Sequence, residues 1–176
     1  MDVRRVVTGH DGHGKAVFAS DELVAPVAPA LLPGSEFHLL WGADTAPTFP
    51  DDGSPSATAT YFPPLGGFRF GLFTVPPAGA TLPDGFDVAA GLAEVETSLP
   101  GMLAHTEPAD PGMHTTDTID YEVVLSGEVV LELDDGAETI LRPGDTVVQN
   151  GTRHRWRNDG EVPAVLAVVL LGAHRA

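Results

Sequence analysis

His114 and His154 bracket a block of short strands, and Asp120 stands where the first of those strands begins. Imidazole and carboxylate groups turned into a small barrel are costly to bury unless they bind something. The same side chains move protons near neutral pH and ligate transition metals. His114 and Asp120 lie six positions apart, which on one continuous strand means about 20 Å at about 3.3 Å per residue. They share a site only if residues 115–118 turn the chain back, and the Thr-Thr-Asp-Thr run there tolerates a turn. Within that run Asp117 reads as a turn residue capping its own backbone. Glu122 has the strand parity of Asp120, so it either points inward as an acid, base or substitute ligand, or lies at the strand edge on the surface.

These residues have to be positioned by strands. Four short apolar segments, 121–125, 129–133, 138–141 and 146–149, are separated by Ser-Gly-Glu, Asp-Asp-Gly and Pro-Gly-Asp turn signals. Short strands at such spacing predict a single antiparallel β-barrel or jelly roll. Upstream, 4–8 and 16–19 read as a hairpin whose loop carries His10 and His13, a spacing that some metal sites use but that fits a solvent-exposed loop better. Residues 21–35 hold Pro26, Pro29 and Pro33 and run over the surface. Residues 37–41 form a strand with Phe37, Leu39 and Trp41 on one face and His38 and Leu40 on the other. A Pro-, Asp-, Thr- and Gly-rich stretch, 44–67, is long enough to be expected over a site. Residues 68–75 return to strand, with Gly71 placed as a bulge. Apolar residues at helical spacing predict one short helix over 86–99, stopped by Pro100-Gly101. An apolar strand, 162–171, closes the sheet. The expectation is an all-β fold with one short helix and a long Pro-rich loop. It forms one domain over 1–176, with N-terminal strands and loop in 1–80 and the barrel core in 112–172.

The stretch from Gly112 to Asn158 resembles the cupin family. Gly127 lies seven residues after Asp120, which takes the place of a motif Glu; Thr116 takes the place of the second motif His and His114 that of the first. In the second motif, Pro143-Gly144-Asp145 matches the usual turn, His154 follows Gly151 by three, Asn158 follows His154 by four, and Gln149 stands where Pro is usual. The resemblance implies the turn that brings His114 back to Asp120, with His154 arriving from the second motif. Its ligand set would be His114, Asp120 and His154 around a divalent Fe, Mn, Ni or Zn ion with positions open for water or substrate. Thr in place of His and Asp in place of Glu leave a metal-free, hydrogen-bonded His114, Asp120 and His154 cluster as the alternative. Asn158 would support His154, and a homodimer is expected by resemblance, through sheet edges or the early hairpin.

Composition limits the partners. A formal net charge of −16 argues against nucleic acid and anionic membrane. Arg153, Arg155 and Arg157 alternate with His154 and Trp156, which sends them to the face opposite the site. The chain has no cysteine, which excludes disulfide and thiolate chemistry, and no apolar run approaches the ~18 residues of a membrane span. A cytoplasmic protein is expected. Trp41, Phe70, Tyr121 and Trp156, with Gln149 as a hydrogen-bonding group, are the expected substrate-binding residues, suited to a small organic molecule. Three functions stay open. One is a metal-dependent enzyme (lyase, isomerase, cyclase or decarboxylase) on a small apolar or aromatic carbonyl or carboxylic compound, with His154, Asp120 or Glu122 moving a proton. The second is an Fe(II)-dependent dioxygenase, and the third a non-catalytic cupin that binds a small ligand.

Overall fold

The computed structural model describes residues 2–176. Ten strands are present among them: β1 (Val3–His10), β2 (Ala16–Val24), β3 (Glu36–Ala43), β4 (Phe68–Val75), β5 (Thr118–Ser126), β6 (Val129–Glu132), β7 (Glu138–Leu141), β8 (Thr146–Gln149), β9 (Arg155–Arg157) and β10 (Ala164–Gly172). One α-helix, α1 (Val88–Ser98), precedes β5. All strand pairs are antiparallel. They form a five-stranded sheet in the order β3-β4-β10-β5-β8, a three-stranded sheet in the order β7-β6-β9, and the β1-β2 hairpin.

Period-two alternation builds the interior. Along β5, Thr118, Asp120, Glu122 and Val124 are buried while Tyr121 and Leu125 are exposed. β10 answers with Ala164, Leu166, Val168 and Leu170 buried, opposite the inward residues of β5. Val75, Val124, Val129, Leu131, Leu141, Ala164 and Leu166 form one apolar cluster that joins the five-stranded sheet to the three-stranded one. The β5-β6 turn depends on Gly127, whose φ is +73° and where a Cβ would sit 2.6 Å from the Ala164 backbone. Only glycine meets both conditions without strain.

Helix α1 begins on Asp87, whose carboxylate accepts a hydrogen bond from Ala90 N at 3.0 Å. Leu99 and Pro100-Gly101 end it, as the sequence predicts. Its Val95 and the following Leu99 are fully buried against Phe37, with Tyr61 and Phe73 packed alongside.

One expectation for the first sheet is corrected. The irregularity lies in β3, between Leu39 and Trp41, and not at Gly71 of β4. Gly71 is needed because β3 comes close: a Cβ there would meet the His38 carbonyl oxygen at 2.7 Å. His38 and Leu40 are buried and Leu39 is 46% exposed, as the expected alternation requires, while Phe37 is buried as well because it packs with Val95 and Leu99.

Candidate functional site

The inward face of β5 places two carboxyl groups two residues apart on one strand. Their cross-strand neighbours on β10 are Leu170, opposite Asp120, and Val168, opposite Glu122, both aliphatic and buried. Asp120 Oδ1 and Glu122 Oε2 are buried without a hydrogen-bond partner. Removal from water disfavours the charged form of each. Burial pushes the Asp120 carboxyl up to about 6. Burial, and then the neighbouring Asp120 charge, push Glu122 up to about 8. At neutral pH, therefore, Glu122 holds a proton and Asp120 is mostly ionised.

The two histidines are brought together by backbone pairing. His114 and His154 form an antiparallel bridge with reciprocal N–H to carbonyl bonds of 2.9 and 3.0 Å. Their rings stand 4.1 Å apart between centroids. His114 Nδ1 lies 3.0 Å from the Gly112 carbonyl and His154 Nδ1 2.9 Å from the Thr152 carbonyl. A carbonyl can only accept, so each Nδ1 carries the hydrogen and each neutral ring keeps its lone pair on Nε2. Burial, followed by the neighbouring His114, lowers His154 to about 4, and burial also lowers His114. Both imidazoles are thus neutral bases at neutral pH. Trp156 meets His154 edge-on, with centroids 6.1 Å apart.

Both pairs face one cavity of about 670 Å3, walled mainly by apolar groups including Phe37, Tyr61, Phe73, Leu103 and Trp156. Tyr61 comes from the Pro-rich loop, and burial together with the Asp120 and Glu122 charges raises its hydroxyl, keeping it a neutral donor. Of the long loop only Tyr61 and Phe62 reach this cavity, while Pro55, Ser56, Thr58 and Thr60 line another and Asp51 pairs with His10 of β1. Tyr61 itself carries no periodic signal; only its place in a loop of that length marks it.

His114, Asp120 and His154 all line this cavity, but the expected metal site is not assembled. Among the described residues, no group of three or more His, Cys, Asp or Glu side chains is arranged to hold a metal ion. Thr116, in the place of the second motif His, adds no further ligand. It is buried and its hydroxyl is 2.8 Å from that of Thr118, so this position supplies neither a ligand nor a charge.

The remaining expected residues divide. Trp156 and Glu122 line the cavity. Trp41 and Phe70, cross-strand partners on β3 and β4, line a different one. Tyr121 is 46% exposed and lines neither, since it has the opposite parity to Asp120. Gln149 is buried across from Asp120 but its amide donates to the Thr152 carbonyl and hydroxyl, holding the loop before His154. Asn158 does not support His154: it donates to the carbonyls of Val75 and Val162 and accepts from Gly160 N. Asp117 pairs with Arg175, where self-capping was expected. Arg153, Arg155 and Arg157 are taken up by ion pairs with Glu107, Asp110, Glu132 and Glu138.

Two packed antiparallel sheets, with two imidazoles and two carboxyls facing a largely apolar cavity, define a jelly-roll pocket. The Cupin domain family model matches residues 102–170. A phomopsin biosynthesis cluster protein C' of Diaporthe leptostromiformis is 35% identical over 156 residues, covering 88% of this chain and 69% of that protein. A cupin-domain-containing oxidoreductase of Neurospora crassa is 27% identical over 171 residues, covering 97% and 74%. Among solved structures, a sugar phosphate isomerase from a cupin superfamily of Silicibacter pomeroyi superposes with a TM-score of 0.43 at 17% identity, over 84% of this chain and 69% of that one. The chain belongs to the cupin superfamily. No helix among the described residues is long and apolar enough to cross a membrane.

Proposed function

We propose that this cupin is an enzyme that moves protons on a small, largely apolar or aromatic carbonyl compound, in the manner of an isomerase, cyclase or lyase. The observation that carries the reading is the pair Asp120 and Glu122, held near about 6 and about 8 and facing the same cavity as two neutral imidazoles. An ionised carboxylate beside a protonated one supplies a base and an acid at the same pH, matched to neutral working conditions. Asp120 takes a proton from carbon next to the carbonyl, and Glu122 gives one to the developing oxyanion. His154 and His114 accept hydrogen bonds at Nε2 from a hydroxyl of the bound molecule. Tyr61, a neutral donor, orients its oxygen, and the apolar walls exclude water.

A divalent metal, which the superfamily implies, would need three or four converging ligands. The two imidazoles and two carboxyls here are not arranged as a group of three or more around a point, so the donor set does not fit such a centre. No step is assigned to a metal.

A second reading, redox chemistry on the same class of molecule, is favoured by relatives that carry the name cupin-domain-containing oxidoreductase. The two are separated by one experiment. Purified protein, treated with chelator, is incubated in D2O with acetophenone and with 1-indanone, and deuterium at the carbon next to the carbonyl is followed by NMR. Exchange that survives chelation and is lost in Asp120→Asn supports the acid-base reading. Exchange absent in both ketones, with dioxygen consumed only after metal is added, contradicts it.

A further inference from the structure

A second cavity, of about 260 Å3, is bounded by β3, β4 and the loop that precedes β4. Two buried nitrogens in its wall have no hydrogen-bond partner, Arg5 Nε and His38 Nε2. His38 is 2% exposed. Arg5 is held on three other sides: Nη1 donates to the Leu40 carbonyl at 2.8 Å, Nη2 pairs with Glu22, and the guanidinium lies 5.6 Å over the Trp41 ring. Its Nε is the guanidinium nitrogen left buried without a partner. Arg69, the other cation of the wall, is spent on Asp44 and on the carbonyls of Ala43, Phe68 and Thr60. Trp41, Phe70 and Tyr61 supply flat aromatic surface.

A buried donor left unpaired is expensive, and native proteins rarely leave two beside one cavity without an occupant. Water fills such a space poorly, because each buried water wants two to four polar partners and these walls are largely apolar. A carboxylate is disfavoured as well. Glu22 and Asp44 already balance both arginines, and the chain as a whole carries −16. What remains is an uncharged planar molecule that brings its own acceptor.

We infer that the cavity between β3, β4 and the preceding loop is a second binding site, for a small neutral aromatic molecule bearing a carbonyl and a hydroxyl group. The carbonyl oxygen accepts from Arg5 Nε–H, the hydroxyl pairs with His38 Nε2, and the ring lies against Trp41 and Phe70. The site differs from the acid-base pocket in its polar groups, since that pocket holds none of Arg5, His38, Trp41 or Phe70, while Tyr61, Val168 and Leu170 line both.

The chain has two tryptophans, Trp41 in the wall of this cavity and Trp156 in the wall of the other, so the two indole N–H signals report separately on the two sites. Full-length 15N-labelled protein is titrated with 4-hydroxyacetophenone at mildly acidic pH, and in parallel with benzoate. The expected result is saturable movement of the Trp41 indole signal by the neutral probe, with at least tenfold weaker binding of benzoate. His38→Phe and, as a variant that spares the interior ring packing, Arg5→Lys each weaken the probe tenfold or more, whereas His154→Ala leaves its affinity at the Trp41 site unchanged. Movement confined to Trp156, equal affinity for benzoate, no movement up to the solubility of the probe, or full affinity in a folded Arg5→Lys protein would each overturn the inference.

Discussion

Replacing Glu122 with Gln removes the one buried carboxyl that the fold keeps protonated, and the consequence is a change in how stability depends on pH. Gln keeps the shape and neutrality of the protonated acid but cannot ionise. In the wild type, Glu122 moves from an ordinary value of 4.5 to about 8 on folding. Between those values the folded chain holds a proton that the unfolded chain has released, so stability falls as pH rises, by about 1.4 kcal/mol per pH unit, and levels off above about 8. Asp120, raised from 3.8 to about 6, acts with the same sign at lower pH. His154, lowered from 6.5 to about 4, acts with the opposite sign, since only the unfolded ring gains a proton there. These two largely offset one another below pH 6.5. From 6.5 to 8 the Glu122 contribution stands alone and amounts to about 2 kcal/mol. Guanidinium unfolding of both proteins at half-unit pH steps across that window measures it. The difference in stability between variant and wild type should grow by about 2 kcal/mol in favour of the variant, whatever its starting level. Parallel curves would refute the buried, protonated state of Glu122.

Other outcomes follow from the same geometry. Where deuterium exchange into a ketone is measurable, its rate should rise through about pH 6 as Asp120 ionises and fall through about pH 8 as Glu122 does; a profile flat from 5 to 9 would count against the assigned roles. Nitrogen NMR of the imidazoles should show His114 and His154 neutral at pH 6 with the hydrogen on Nδ1, and a charged His154 or an Nε2–H form would contradict the backbone bonds described. Leu166→Ala, at a fully buried position between the sheets, should cost about 2–5 kcal/mol in denaturant unfolding, and a cost under about 1 kcal/mol would mean that the two sheets do not share that core.

Much of the fold was legible because burial on a strand repeats every second residue. That rule marks the strands from β4 onward and places Glu122 beside Asp120 on one inner face. Applied strictly, it also turns Tyr121 outward, where its aromatic character alone suggested a pocket residue. The rule does not reveal the irregularity between Leu39 and Trp41, which no residue there announces, or that Trp41 and Phe70 line the second cavity. Convergence of His114 with His154 follows from a backbone bridge between segments 40 residues apart, legible only through the family resemblance. Whether the carboxyls join them as ligands depends on side-chain separations that spacing does not encode.

The most direct test of the acid-base pocket is the carbon NMR titration of the side-chain carboxyls of Asp120 and Glu122 in the intact protein. Midpoints near about 6 and about 8, with Glu122 still protonated at pH 7, are the expected result. Both groups titrating in the ordinary carboxylate range would contradict it, because no acid would then remain beside the base at working pH.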